Sequence, residues 1–329
     1  MTVLFIYRNP GLGYSIGKVF KPVEEEMRKY ADVDSVYLPV ANYKPAGFVK
    51  NIRAARTAVN KKHYDIVHIT GAEHYLLPFL KGQTTVMTVH DLGFYTNQTF
   101  GLRKIWKYCL WIKTLKYADV VTFISEKSQR EAERFVRFKP GQAVTVHNAV
   151  SPDYKYTPKE INTACPMVLH IGTKAHKNLA NTIRALKDFP CRLRIIGPID
   201  KECQTLLETC HIDYTNACDL TNDEIAKEYE NCDIVNFPSL YEGFGQIIIE
   251  AQAVGRPVVT SNISPMKEVA GEGAVLVDPT DPQSILEGYK RIIADPQMFI
   301  KAGSANVKRF TVEAITHVFF DIYQRTVKG

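Results

Sequence analysis

The stretch Phe237-Pro-Ser-Leu-Tyr-Glu-Gly-Phe-Gly-Gln-Ile-Ile-Ile-Glu250 places two carboxylates, Glu242 and Glu250, on either side of a glycine turn that opens an apolar helix. Residues 233–237 read as a buried strand. Gly243 and Gly245 supply a turn whose backbone lets a ligand come close, and the helix stops at Gly255. Amides at such a helix start attract phosphate. Glu250 lies about five residues into the helix, roughly 7 Å along its axis at about 1.5 Å per residue, which is about the distance from a diphosphate to ribose hydroxyls. Its neighbours Ile247, Ile248, Ile249, Ala251 and Ala253 make this a largely buried helix, where an unpaired charge is costly. The plainer reading of Glu250 is a salt-bridged side chain on a half-buried helix.

Outward from this stretch, strand-like and helix-like segments alternate along the chain, which predicts parallel sheets covered by helices. A first α/β unit has strands over 3–7, 35–39, 66–70, 85–88, 120–124 and 143–146, with helices over 19–30, 50–60, 104–117 and 127–135. The proline-rich polar segment 148–166 reads as a linker. A second unit has strands over 167–171, 192–196, 234–237, 257–260 and 274–277, with helices over 178–186, 201–209, 223–230, 245–254 and 282–294. The amphipathic pattern over 311–327, with Ile315, Val318, Phe319, Ile322 and Tyr323 on one side, comes after the second unit has enough helices and is expected to pack elsewhere. The expected domains are 1–155, 156–310 and a terminal helix 311–329 returning toward the first. Ligands bind at the carboxyl ends of strands in such sheets.

With 45% hydrophobic residues, the 329-residue chain can bury two ordinary cores. Its longest apolar runs are strand-sized and Met1–Ile6 is followed at once by Arg8, so neither a signal peptide nor a spanning helix is read and the cytosol is expected. The seven cysteines form no Cys-x-x-Cys pair and fit reduced packing residues. Charge is divided unevenly. Residues 1–160 carry 24 Lys and Arg against 14 Asp and Glu, a net +10, while the remainder carries −4. A basic half fits anionic lipid headgroups or a phosphorylated acceptor, with nucleic acid the less favoured partner. Its densest part, 102–117, interleaves Lys104, Lys107, Lys113 and Lys116 with Trp106 and Trp111, and as one helix it would show an apolar stripe with cationic flanks suited to a membrane surface or to core packing.

Three further segments carry chemistry. Gly11-Leu-Gly13 follows the first strand and precedes a helix, but Ile16 stands where a dinucleotide fingerprint needs its third glycine. His90-Asp91 ends the fourth strand, where a histidine can donate to a substrate hydroxyl or to its own loop. In His170-Ile-Gly-Thr-Lys-Ala-His-Lys177-Asn178, Lys174 and Lys177 sit where point charges and amides could hold a diphosphate. Asp32-Val-Asp34 matches a metal-holding Asp-x-Asp in form but reads as a solvated turn before the second strand.

Taken in order, the glycine loop, His90-Asp91, Ile124-Ser-Glu126, Val146-His-Asn148, Lys177-Asn178-Leu179, Glu242-Gly-Phe-Gly with Glu250 eight positions on, and Gly255-Arg-Pro-Val-Val resemble glycosyltransferase family 4. The resemblance implies the GT-B fold, two Rossmann-like domains facing a cleft, and retaining transfer from a nucleoside-diphosphate sugar to a sugar or lipid-linked acceptor. It also implies that Glu250 binds the ribose, that Glu242 and His90 meet the transferred sugar, and that Lys177 meets the diphosphate. The backbone of Gly243, Phe244 and Gly245 would meet sugar and diphosphate, with Gly11, Gly13, Gly172, Thr173 and Lys174 around the donor. No metal or other cofactor is expected. The family's usual arginine after the glycine at 172 is here Thr173, which leaves the diphosphate to Lys177 with Lys174 or His176. The rival functions are a nucleotide-sugar epimerase of the same design and a basic membrane- or nucleic-acid-binding module with a decayed transferase site.

Overall fold

A computed structural model describes residues 1–328, apart from residues 13, 14, 97, 98 and 100 and the side chain of Ser15. Gly13 therefore lies outside the described residues. The chain divides into two compact units, residues 1–149 with 312–329, and residues 150–311.

The first unit is built on β1 (Thr2–Tyr7), β2 (Asp32–Tyr37), β3 (Ile66–Ile69), β4 (Thr85–Val89), β5 (Val120–Phe123) and β6 (Ala143–Thr145), all parallel in the order β2-β1-β3-β4-β5-β6. Alternation along β1 sends Leu4 and Ile6 into one apolar cluster and Val3, Phe5 and Tyr7 into another, so both faces of the sheet are covered. The terminal helix Val312–Lys328 covers the second face, placing Ile315, Phe319 and Tyr323 against the helix Ser15–Met27 and the strands. Its Tyr323 hydroxyl lies 2.5 Å from Nδ1 of His68, whose Nε2 is 2.8 Å from Thr88 Oγ1. Burial holds His68 neutral, with its pKa lowered to about 3.

The second unit has β7 (Met167–Ile171), β8 (Arg192–Ile196), β9 (Tyr214–Ala217), β10 (Ile234–Phe237), β11 (Val258–Ser261) and β12 (Ala274–Val277), parallel in the order β12-β11-β10-β7-β8-β9. In each sheet the strand order reverses once, between β1 and β3 and between β7 and β10. Loops leaving the carboxyl ends of the strands part at such a point and leave a crevice for a ligand.

Besides the helices Met266–Ala270 and Pro296–Asn306, which the sequence reading lacked, three segments that bear on the expected sites differ from it. Asp32 and Asp34 belong to strand β2 instead of a turn before it, and both carboxylates meet Lys62 Nζ, at 2.7 and 3.0 Å. An edge strand tolerates this because only Val33 of that stretch needs to be buried. Strand β9 was not anticipated. Residues 102–117 do not form one helix: an α-turn Leu102–Lys107 passes into a π-turn Tyr108–Ile112 and then a 3-10 turn Lys113–Tyr117.

Candidate functional site

In the second unit, the turns after β7 and β10 flank the point of strand reversal and are knitted together. Asn178 adopts a left-handed φ of 67°, which asparagine tolerates, and its amide donates to the carbonyls of Pro238 (2.9 Å) and Pro279 (2.6 Å). The Leu240 amide donates to His176 O at 2.7 Å. This fixes Lys177 opposite Glu242, and its ammonium donates to Oε1 at 2.7 Å with the two side chains only 18% and 15% exposed. The ammonium also lies 4.7 Å from the centre of the Phe237 ring. Gly172 is required beneath it: φ is +90°, and a Cβ would come within 3.2 Å of the Lys177 chain. An ammonium has three donors, so this one can keep Glu242 and still reach an anion.

Glu250 is the fifth residue of the helix Gln246–Val254, whose cap, Gly245 at φ 120°, has no side chain to occupy the first-turn amides. Its carboxylate accepts the Tyr229 hydroxyl at 2.7 Å. Tyr229 is fully buried on the helix Asn222–Asn231, with Tyr154 edge-on 5.4 Å away. The buried Arg256 guanidinium gathers the carbonyls of Val254, Gly255, Glu230 and Thr157 at 2.7 to 3.2 Å, tying the ends of the two helices that carry Glu250 and Tyr229. Sequence reasoning missed Tyr229 and Arg256. A tyrosine on a helix's buried face carries no local signal, although the arginine lies within the quoted Gly255-Arg-Pro-Val-Val segment.

The other residues of the expected donor set have the following surroundings. Phe244 turns its ring inward, 3% exposed and edge-on to Phe310, so only its backbone can meet a ligand. Thr173 donates to Pro198 O at 2.5 Å, Lys174 is exposed, and burial lowers the His176 pKa. Beneath this turn His170 is neutral, its pKa lowered to about 4 by burial and then by Lys177, and Asn236 donates to its Nδ1 at 2.9 Å. Gly11 belongs to the first unit, where its amide donates to Asn9 Oδ1 at 2.9 Å.

The first unit has a cavity of about 600 Å³ whose lining includes Arg8 from the end of β1, Ala72 and His74 after β3, His90 after β4, and Trp106, Lys107 and Trp111. His90 uses Nε2 to donate to Thr70 O at 2.9 Å, which leaves Nδ1 as an acceptor, and Gly71 beside it has no room for a Cβ, which would fall 2.6 Å from the imidazole. Trp111 is 6% exposed and immobilised: its indole donates to Ala72 O at 2.6 Å, and its own carbonyl is 2.6 Å from His74 Nδ1. It cannot be a membrane anchor, since its ring belongs to the core. Lys104, Lys113 and Lys116 are not among the residues lining the cavity, and the last two point to solvent. Behind Tyr43, burial raises the Glu73 carboxyl to about 7.

Comparison with known proteins adds the following. The family described as glycosyl transferases group 1 matches residues 158–308, and glycosyltransferase family 4 matches residues 19–154. The O-antigen chain mannosyltransferase B of Escherichia coli is 25% identical over 272 residues, 74% of this chain and 70% of that protein. A D-inositol 3-phosphate glycosyltransferase of Streptomyces bingchenggensis is 30% identical over 114 residues, 33% of this chain and 25% of that protein. Among solved structures, the sucrose-phosphate synthase of Thermosynechococcus elongatus superposes with a TM-score of 0.79 at 19% identity over 99% of both chains. That likeness establishes the fold as GT-B.

Proposed function

The chain belongs to glycosyltransferase family 4 and is a glycosyltransferase, and from that premise we propose that its second unit holds a nucleoside-diphosphate sugar while its first unit receives the acceptor. The observation that carries this is the convergence of Lys177, Glu242 and the Gly245-capped helix on the strand reversal between β7 and β10. Glu250 takes the ribose hydroxyls from the same helix. The diphosphate meets the helix amides and the donors of Lys177 not used by Glu242. In transfer, the bond from the sugar's anomeric carbon to the diphosphate oxygen breaks and a bond to the acceptor oxygen forms. The acceptor oxygen attacks on the face from which the diphosphate departs and passes its proton to that diphosphate, so the anomeric configuration is kept. Fixed cations and amides carry the phosphate charge in this scheme, so no bound metal is invoked.

The mannosyltransferase relative supports a place in the assembly of a cell-surface polysaccharide. No helix among the described residues is long and apolar enough to cross a membrane. Leu102, Ile105 and Trp106 are 87%, 47% and 43% exposed beside Arg103 and Lys104, which supports contact with an anionic membrane surface, at about 1 kcal/mol per basic residue. Co-sedimentation with anionic and neutral vesicles tests that contact, which should weaken with salt.

The donor reading is tested by thermal shift against UDP-, GDP- and ADP-sugars, followed by a transfer assay with the one that stabilises. A ligand at about a hundred times its dissociation constant adds roughly 2.7 kcal/mol of stability. No stabilisation by any of the three would overturn the reading.

A further inference from the structure

Beneath the turn that carries Lys177 lies a buried chain of polar side chains that takes no part in the transfer as described above. His170 on β7 pairs in register with Asn236 on β10, and both are buried together with Thr182 and Tyr289, from the helices Leu179–Leu186 and Pro282–Ala294. The Tyr289 hydroxyl donates to Asn236 Oδ1 at 2.7 Å, and burial raises its pKa so that it keeps its proton. The Thr182 hydroxyl donates to Asn178 O at 3.2 Å, which leaves its oxygen to accept from Asn236 Nδ2 at 2.9 Å. The second proton of that amide therefore goes to His170 Nδ1, also at 2.9 Å. With Nδ1 an acceptor, the neutral imidazole carries its proton on Nε2.

That Nε2–H is the open end of the chain. It is buried and has no hydrogen-bond partner among the described residues, although buried donors are as a rule paired. The backbone group that faces it is Gly172, which favours the protonated ring as an acceptor does. The Gly172 amide is already committed to Ile196 O at 2.8 Å. Gly172 is also the floor of the donor site, since a Cβ there would come within 3.2 Å of the Lys177 chain. Hydrogen bonds that serve a reaction are often loose without substrate and tighten when it binds.

We propose that His170 is a positioning residue of the donor site, whose Nε2–H closes on the Gly172 carbonyl when the diphosphate is bound and so fixes the floor against which Lys177 is aimed. The inference rests on the reading of the second unit as the donor site. A role confined to the core would need the Nδ1 acceptor alone, and the two nitrogens are separable by substitution. Asparagine at 170 keeps an acceptor near the place of Nδ1, and glutamine keeps an N–H near the place of Nε2.

The first measurement uses the whole protein labelled with ¹⁵N at histidine, with His170 assigned by the signal that His170→Gln removes. His170 should carry its proton on Nε2 at neutral pH, and that proton should move downfield when saturating UDP, GDP or ADP is added, whichever binds. Steady-state kinetics gives the second. His170→Asn should lower kcat about tenfold with the donor KM little changed, the loss of one net hydrogen bond made in transfer, and His170→Gln should stay within about threefold of the parent. A proton on Nδ1, an Nε2–H signal that bound nucleotide leaves unmoved, or equal loss of kcat in folded Asn and Gln variants would each overturn the inference. Calorimetry of the three nucleotides with the parent separates the two readings. If none binds, the donor reading falls and this inference with it, whereas any of those three results beside normal nucleotide binding sinks this inference alone.

Discussion

The two units place charge in opposite ways over the same topological feature. At the β7–β10 reversal of the second unit the charged groups already have protein partners: Lys177 holds Glu242 at 2.7 Å, and Tyr229 donates to Glu250 at 2.7 Å. At the β1–β3 reversal of the first unit, three cations and one carboxylate line an open cavity with an aromatic wall. A site of the first kind has its reacting groups oriented before substrate arrives, as electrostatic stabilisation of a transition state requires. A cavity of the second kind surrounds an open volume with aromatic and basic side chains.

The largest expected effect separates the two. Lys177→Ala should lower kcat by about 10² to 10³, the scale for removing one donor from a developing anion, while leaving the tryptophan emission of the first unit unchanged. Turnover in EDTA should stay at the untreated level. Steady-state kinetics beside the emission spectrum checks both, and activity lost to EDTA and restored by Mg²⁺ or Mn²⁺ would contradict the metal-free account.

A smaller effect lies behind the cavity wall. Burial raises Glu73 from its usual 4.5 to about 7, and Tyr43 donates to it at 3.3 Å. Between those values the folded chain keeps a proton that the unfolded chain has lost. The group's contribution to stability is therefore full below about 4.5 and is lost as pH rises through about 7. Glu73→Gln should leave stability near pH 4 little changed and raise it at pH 8 by of order 2 kcal/mol, read as the difference between variant and parent in urea melts. Parallel pH profiles for the two proteins would contradict this.

The smallest concerns Tyr229. Removing its hydroxyl in Tyr229→Phe takes one bond from Glu250 and should weaken nucleotide binding about tenfold with kcat nearly unchanged. A fall in kcat with unchanged affinity would move Glu250 from ribose binding to the transfer step.

Core strands were legible because parallel strands covered on both faces read as short apolar runs, as in Val258–Ser261. Edges were not. Tyr214–Ala217 is a polar, part-exposed strand at the margin of its sheet, and Asp32-Val-Asp34 looks like a turn until β1 supplies its hydrogen bonds. The periodicity of 102–117 is helical, yet Trp111 is pulled onto Ala72 and His74, and the helix gives way to a π-turn there. At the candidate donor site, Glu242 and Glu250 were legible because one turn and one helix carry both, and Asn178 then brings Lys177 across 65 residues. The cavity of the first unit was illegible as a unit, since Arg8, Tyr43, His74, His90 and Trp106 meet only after the sheet has formed. Thr173 gave no hint that it would turn to Pro198.

Calorimetric titration of the nucleoside diphosphate that stabilises the protein, into parent and Glu250→Ala, tests the central claim most directly. Two charge-assisted bonds to the ribose contribute about 1.5 to 3 kcal/mol each, so a folded variant should bind at least about a hundredfold more weakly. Equal nucleotide affinity in the folded variant would show that Glu250 does not hold the ribose, and the assignment of the donor to this helix would fall with it.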